Sequence, residues 1–205
     1  INEREKSGKH SNIYHGNFIP QIPNQLIRRF TQKNEIVLDP FLGSGTTLYE
    51  CEKLNRKFIG FDINEEIIEF VKAKMLDSNT INFEIQECDV TNKEKFEENI
   101  NKSLNSLNSK QVQFVIMHPP YLDIVKFTNQ ENDLSQISDL NTFIKAFNKA
   151  VSNTISYLEK NRYFAIVIGD VYKNSGVIPL AFYVLDNIKR SFKVKLKGII
   201  VKNIE

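Results

Sequence analysis

Short apolar runs alternate with stretches of helical periodicity along most of the chain. The runs are rich in Val, Ile and Phe and are bounded by polar or turn residues, which predicts strands buried on both faces of a sheet. Apolar residues spaced three or four apart predict helices between them. The predicted strands cover residues 36–38, 57–61, 82–86, 112–117, 163–168 and 195–201, and the predicted helices cover a short segment around Leu26, Ile27 and Phe30, then 46 onward, 65–76, 139–158 and 179 onward. This alternation predicts an α/β fold: a doubly wound, mostly parallel sheet with helices on both faces.

The same pattern shows no internal repeat and no linker. We therefore expect a single domain over residues 1–205, divided into an N-terminal segment 1–34, a first half 35–110 and a second half 111–205. Residues 91–110 are charged and rich in asparagine, and predict a peripheral helix and loop. Because the chain starts at Ile1 and not at methionine, we expect it to be a fragment or a processed product.

Composition changes this picture only modestly. Of the 205 residues 41% are hydrophobic, as in a globular protein, and no apolar run is long enough to span a membrane. We expect a soluble, cytoplasmic protein without membrane contact. Two cysteines and three histidines show no metal-ligand spacing, so no metal is expected. The net charge is +2, and bases cluster at both ends of the chain, which would suit a polyanionic partner or only a solvated surface.

The stretch that follows the first predicted strand has the chemistry of a ligand-binding turn. Asp39-Pro40-Phe41-Leu42-Gly43-Ser44-Gly45-Thr46-Thr47 places two glycines between a strand and a helix, where open α/β sheets bind ligands. A P-loop would need a lysine before its Ser/Thr, and a dinucleotide fingerprint would need a third glycine. The carboxylate of Asp39 would repel a pyrophosphate but would tolerate a cation such as S-adenosylmethionine. An ordinary strand-turn-helix remains the alternative.

Two more acidic residues follow the next two predicted strands. Asp62 comes about 20 residues after the first strand, where a carboxylate accepts hydrogen bonds from ribose hydroxyls, although it could also cap the helix that begins near Asn64. Asp89 ends the third strand and could accept from an adenine amino group, or be a solvated turn residue. Since the carboxyl ends of parallel strands share one sheet edge, we expect both near Asp39.

A second informative site, His118-Pro119-Pro120-Tyr121, ends the fourth predicted strand. Neither proline can donate a backbone hydrogen bond and both have a fixed φ, so the strand stops and leaves rigid carbonyls there. The tip thus combines hydrogen-bond acceptors with the flat ring of Tyr121. A plain loop start is the alternative interpretation. A polar loop, 122–138, follows and contains Lys126 and Phe127.

Together the two sites resemble the amino-group DNA methyltransferases, which transfer a methyl group from S-adenosylmethionine to adenine N6 or cytosine N4. Residues 39–47 are similar to that family's cofactor motif, His118-Pro119-Pro120-Tyr121 is similar to its catalytic tetrapeptide, and residues 17–23 resemble its additional cofactor segment. The resemblance implies a class I, Rossmann-like methyltransferase fold. It also implies that the sheet closes with a later hairpin, so we expect the natural chain to continue past Glu205.

The resemblance also implies the roles of individual residues. His118, Pro119, Pro120 and Tyr121 would be catalytic, and Tyr121, Lys126 and Phe127 would contact a base flipped out of double-stranded DNA. S-adenosylmethionine would be bound by Asn17, Phe18, Pro20, Asp39, Pro40, Phe41, Gly43, Gly45, Thr46, Thr47, Asp62, Ile63, Asp89 and Val90. We expect the enzyme to work in a restriction-modification system, as a homodimer or with a separate specificity partner.

The first tetrapeptide position departs from the family, which usually has Asp, Asn or Ser there. A neutral imidazole can accept a hydrogen bond and a protonated one cannot, so His118 predicts activity that falls as the pH drops through the histidine pKa. Enzymes of the same fold that methylate RNA guanine N2 or protein glutamine remain alternatives. So does a catalytically silent partner subunit that binds cofactor or DNA.

Overall fold

A five-stranded parallel sheet forms the centre of the molecule. The computed structural model describes residues 9–10, 17–78, 80–173 and 175–202. The sheet contains β1 (Ile36–Asp39), β2 (Lys57–Asp62), β3 (Phe83–Glu87), β4 (Val112–Met117) and β5 (Leu158–Ile166) in the order β3-β2-β1-β4-β5. All four pairings are parallel. The predicted α/β class is confirmed.

Within the described residues, six α-helices cover the sheet in two layers. They are α1 (Gln21–Phe30), α2 (Thr46–Leu54), α3 (Glu65–Met75), α4 (Lys93–Ser106), α5 (Leu140–Ile155) and α6 (Leu180–Ser191). One apolar cluster joins Val37 of β1 to buried residues of the first three helices, and another joins Ile36 and Leu38 to those of the last three. Because successive strand residues face opposite ways, this alternation along β1 places one helical layer on each face.

The connections create a crevice between β1 and β4. From β1 the chain winds outward through β2 to β3, then returns to place β4 on the other side of β1. At such a switch the loops that follow the two central strands diverge to opposite faces, which opens a binding crevice at their carboxyl ends. The two sites found in the sequence are these two loops.

The last part of the chain differs from the prediction. Residues 195–201 were predicted as a sixth strand, but residues 193–202 form neither helix nor strand, and Ile199, Ile200 and Val201 are exposed. The prediction was wrong because β propensity does not make a strand without a neighbouring strand to pair with. The predicted helix 139–158 ends at Ile155, and the fifth strand begins at Leu158, before the predicted residue 163.

One further element was not predicted: a small antiparallel hairpin, β6 (Val171–Lys173) and β7 (Gly176–Ile178), follows the main sheet. The helix predicted within residues 91–110 is present as α4, and it packs against the core, since Phe96 and Ile100 are fully buried. Over the described residues, none of the helices has the length and apolar character needed to cross a membrane. The same residues contain no cluster of three or more His, Cys, Asp or Glu side chains suited to a metal ion.

Candidate active site

The turn after β1 is held by hydrogen bonds within its own backbone and to the adjacent strand β2. Gly43 and Gly45 have φ values of 49° and 86°, in the left-handed region that glycine adopts without strain. The Leu42 N–H donates to the Phe61 carbonyl of β2, and the Gly45 N–H donates back to Leu42. Gly45 is the N-cap residue of α2, so the first backbone N–H groups of the helix face the crevice end of the sheet. This is the strand-turn-helix that the glycine pair predicts.

Asp39 lies behind this turn and shapes it. Its side chain is buried, and it accepts hydrogen bonds from the Thr47 hydroxyl at 2.5 Å and from the Phe41 N–H at 3.0 Å. Burial, which disfavours the charged form, raises the pKa of Asp39 to about 7. The carboxylate therefore ties the end of β1 to the first turn of α2.

Asp62 lies at the mouth of the crevice, where β2 ends. One carboxylate oxygen accepts from the Gly43 N–H at 2.8 Å, and the other accepts from the Asn64 N–H at 3.0 Å. Burial raises its pKa to about 6. The cap of α3 is Asn64, whose side chain accepts from the Glu66 and Ile67 N–H groups. Asp62 thus links the glycine turn to β2, and each oxygen keeps a lone pair for a ligand hydroxyl.

Asp89 follows β3 along the same edge. Its Oδ1 accepts from the backbone N–H and the hydroxyl of Thr91, at 2.9 and 2.7 Å. Its Oδ2 accepts at 2.8 Å from the side-chain amide of Asn132, which belongs to the loop after β4. Asp89 is therefore a partly buried carboxylate that joins two separate loops.

Contacts between aromatic side chains and the imidazole of His118 hold the tip after β4 in place. His118 Nε2 lies 2.8 Å from the Tyr121 hydroxyl, and the Phe18 ring packs edge-on against the imidazole with 4.7 Å between ring centroids. Burial lowers the pKa of His118 to about 4. Since the ring is neutral above that pH, it carries one protonated and one unprotonated nitrogen over the physiological range. The pH at which His118 becomes protonated, and at which we expect activity to fall, is therefore well below the pKa of an ordinary histidine.

Contacts from more distant parts of the chain hold Tyr121. A Cβ atom added to Gly169, just after β5, would lie 3.1 Å from the Tyr121 ring, so glycine permits this close approach. Lys173 of β6 donates to both carboxylate oxygens of Asp123 at 2.6 and 2.9 Å. Leu122 between them is buried with φ of 55°, an uncommon conformation for leucine that turns the chain sharply after the tip.

Turn and tip open into one cleft of about 980 Å³, counting its open mouth. Most residues predicted for cofactor or substrate line it: Asn17, Phe18, Pro40, Phe41, Gly43, Thr46, Asp62, Ile63, Asp89, Val90, His118, Pro119, Pro120, Tyr121 and Phe127. Five predicted residues lie outside the lining. Asp39, Gly45 and Thr47 support the turn from behind, Pro20 precedes α1, and Lys126 is exposed on the loop.

The lining also includes a group that sequence reasoning did not select. Asn132, Asp133 and Leu134 belong to the polar loop 122–138, and the exposed Ile124 and Val125 come from the same loop. Sequence reasoning considered this loop only for DNA contact, because nothing in its composition indicates that it folds back over β2 and β3. Asp133 is a local signal of an ordered turn, because an aspartate can accept from the backbone N–H two residues on, as it does here at the start of the 3-10 helix Leu134–Gln136.

The N-terminal part of the chain is similar to known DNA methylases. The model of the family of N6 and N4 DNA methylases, described as DNA methylase, matches residues 1–74. Type II methyltransferase M.HpaI from Haemophilus parainfluenzae is 47% identical over 51 residues, which is 25% of this chain and 16% of that protein. Type II methyltransferase M.MjaII from Methanocaldococcus jannaschii is 40% identical over 62 residues, 30% of this chain and 12% of that protein. The matched regions thus span less than a fifth of either relative.

Solved structures match more of the chain at lower identity. SMU.1697c from Streptococcus mutans, solved in complex with SAH, aligns with a TM-score of 0.52 and 17% identity over 88% of this chain and 90% of that one. TrmN from Thermus thermophilus aligns with a TM-score of 0.52 and 16% identity over 74% of this chain and 39% of that one. At these identities the likeness shows the fold, which is that of the class I methyltransferases.

Proposed function

We propose that the chain is an N6 or N4 amino-group DNA methyltransferase, which transfers a methyl group from S-adenosylmethionine to an exocyclic amine in DNA. The observation that carries the proposal is the shared cleft. The glycine turn after β1 and the tip after β4 line one crevice, at the point where the sheet changes direction.

The cleft suits S-adenosylmethionine in shape and in chemistry. Gly43 and Asp62 lie where β1 and β2 end, and Asp89 lies where β3 ends, so a nucleoside could run along this edge with acceptors for its ribose hydroxyls and its amino group. Most of the remaining lining is apolar, with Phe18, Phe41 and Val90 available to pack against the ligand. When bound, the cofactor supplies an electrophilic methyl group.

The tip supplies the acceptors that an aromatic amine requires. The nitrogen lone pair of such an amine is delocalised into its ring, so acceptors for its N–H groups make it a better nucleophile. We propose that His118 Nε2–H donates to the Tyr121 hydroxyl, which leaves Nδ1 unprotonated, and that Nδ1 and the Pro119 carbonyl accept the N–H groups of the target amine. Tyr121 would stack on the extruded base, because the reacting nitrogen cannot be reached inside the duplex.

Other parts of the proposal rest on the family. The relatives named above are type II methyltransferases, and we propose a role in restriction-modification for this protein too, in the cytoplasm and on double-stranded DNA. Lys126 and Phe127 are proposed DNA contacts, with a homodimer or a specificity partner completing recognition. The residues 1–205 would form a single catalytic domain. RNA guanine N2 and protein glutamine are the substrate alternatives, and a silent partner subunit is the alternative from another class.

A methyl-transfer assay tests this function. Purified protein is incubated with tritiated S-adenosylmethionine and unmethylated genomic DNA, and nucleosides from the product are separated by mass spectrometry. We expect N6-methyladenine or N4-methylcytosine, with the label lost when His118 and Tyr121 are both replaced by alanine. Cofactor binding without methyl transfer to DNA would favour the silent subunit, and transfer to RNA or protein alone would overturn the choice of substrate.

A further inference from the structure

The loop that follows the catalytic tip is ordered by its own hydrogen bonds. We define the clasp as residues 127–136. The buried carboxylate of Asp133 organises it, accepting from the backbone N–H and hydroxyl of Thr128 at 3.0 and 2.8 Å and from the Ser135 N–H at 2.8 Å. A short 3-10 helix, Leu134–Gln136, completes it. A loop with so many internal hydrogen bonds holds a defined shape and can position side chains.

The clasp crosses the cleft to the far strands. The amide of Gln130 donates to the Ile63 carbonyl at 3.0 Å, and the amide of Asn64 donates to the Phe127 carbonyl at 3.3 Å. Asn132 makes the third bridge, to Asp89 Oδ2 at 2.8 Å. The loop that carries the tip on to α5 is therefore fastened to the ends of β2 and β3, beside the proposed cofactor carboxylates.

We propose that Asn132 is a positioning residue for cofactor recognition, holding the Asp89 carboxylate toward the adenine amino group. This inference rests on the proposed function. Thr91 already fixes Oδ1 of Asp89 through two hydrogen bonds, and Asn132 fixes Oδ2 through one, so the plane of the carboxylate is set from both sides. A carboxylate oxygen accepts two hydrogen bonds, which leaves Oδ2 able to receive the amino group as well.

The geometry predicts a selective effect. An amino group donates to a carboxylate, whereas the oxygen of a 6-oxo purine would face it as a second acceptor and be repelled. Holding Asp89 in place should therefore sharpen the preference for adenine over hypoxanthine. A residue that only stabilised the loop would change the affinity for both bases by the same factor.

The experiment is calorimetric titration of the whole protein with S-adenosylhomocysteine and with its hypoxanthine analogue, without DNA. We compare the wild type with Asn132→Ala, Asn132→Asp and the control Asn129→Ala, because Asn129 is exposed on the same clasp but outside the cleft lining. We expect Asn132→Ala to bind S-adenosylhomocysteine about tenfold more weakly, since one hydrogen bond to a charged group is removed. The ratio of its affinities for the adenine and hypoxanthine ligands should also be smaller than in the wild type. Asn132→Asp should lose more, because it places a second carboxylate against Asp89.

The outcomes separate the two proposals. If the wild type binds neither ligand, the proposed function fails. If the wild type binds the adenine ligand and Asn132→Ala keeps the same ratio of the two affinities, the positioning role is overturned. Equal losses for Asn129→Ala and Asn132→Ala would also overturn it, because the effect would then belong to the loop in general.

Discussion

The turn after β1 and the tip after β4 lie at the same end of the sheet and are held in opposite ways. The turn is fixed by hydrogen bonds from within residues 39–47 and from the adjacent strand β2. The tip is fixed by side chains from distant segments: the Phe18 ring, the close approach of Gly169, and the Lys173–Asp123 ion pair. The contacts that hold the turn join residues close in sequence, whereas those that hold the tip join residues far apart in sequence.

This difference separates two kinds of sensitivity. A change inside the turn alters the backbone on which the cofactor would rest, so it should affect folding and cofactor binding together. A change around the tip should leave the cofactor half intact and displace only the groups that meet the target base. Three substitutions test this contrast, and their expected effects decrease in the order given.

Replacing Gly45 by alanine should have the largest effect. The residue has a positive φ, and its new Cβ would lie 2.9 Å from the Tyr49 ring and 3.1 Å from Val71. The backbone conformation alone costs about 1–2 kcal/mol for a residue other than glycine. We expect a lower melting temperature and loss of measurable S-adenosylhomocysteine binding. Gly198→Ala is the control, because its Cβ would meet nothing within 4 Å. Cofactor affinity that survives in Gly45→Ala would contradict a backbone-defined site.

Replacing His118 should act on turnover and spare the cofactor. We expect His118→Ala to reduce kcat by about 100-fold, as misplacement of a reacting group does, while cofactor affinity stays within about threefold. Burial lowers the pKa of His118 to about 4, so its ring stays neutral between about pH 5 and 8 and adds no pH dependence there. Wild type and His118→Asn should therefore share one pH profile over that range, including any change caused by Asp39 and Asp62, whose pKa values are raised to about 7 and 6. The measurement is a pH profile of single-turnover methyl transfer. A decline between pH 7 and 6 that is absent from His118→Asn would show that the imidazole titrates normally.

Replacing Gly169 by alanine should have the smallest effect. The added methyl group would press against the Tyr121 ring at 3.1 Å, so the ring must move by a few tenths of an ångström. We expect about a threefold to tenfold loss in kcat/KM for DNA, with unchanged melting temperature and cofactor affinity. Gly176→Ala is the matched control, since its nearest contact would be an ordinary 3.8 Å. A loss of cofactor binding in Gly169→Ala would mean that turn and tip are not separable.

The same contrast explains what sequence could predict. The α/β fold and all five strands of the main sheet follow from short apolar runs, and the glycine turn follows from residues that interact mainly with one another. The clasp depends on a partner far along the chain, Asn132 with Asp89, 43 residues apart, and the hairpin is fastened to the loop after the tip by Lys173 with Asp123, 50 residues apart. Local composition does not indicate these pairings.

Two predictions, the strand at residues 195–201 and the pKa of His118, differ from the structure for physical reasons. Residues 195–201 end in the β-branched run Ile199-Ile200-Val201, but β propensity does not make a strand without a neighbouring strand to pair with. The sequence predicts that His118 becomes protonated near the ordinary histidine pKa. In the structure the imidazole is packed against the rings of Phe18 and Tyr121, which keep it from water. Sequence gives the identity of a titrating group, but its solvation depends on tertiary packing.

The dipeptide Asn17-Phe18 spans from one loop to the other. Asn17 accepts a hydrogen bond from the Ser44 hydroxyl of the turn at 2.7 Å, while Phe18 packs on His118 of the tip. Neighbouring Cα atoms across a trans peptide are about 3.8 Å apart. Because Asn17 and Phe18 are neighbours, their two contacts hold the turn and the tip at a fixed distance from each other. Any widening of the crevice must break one of the two contacts, so two residues that precede the sheet help to set its width.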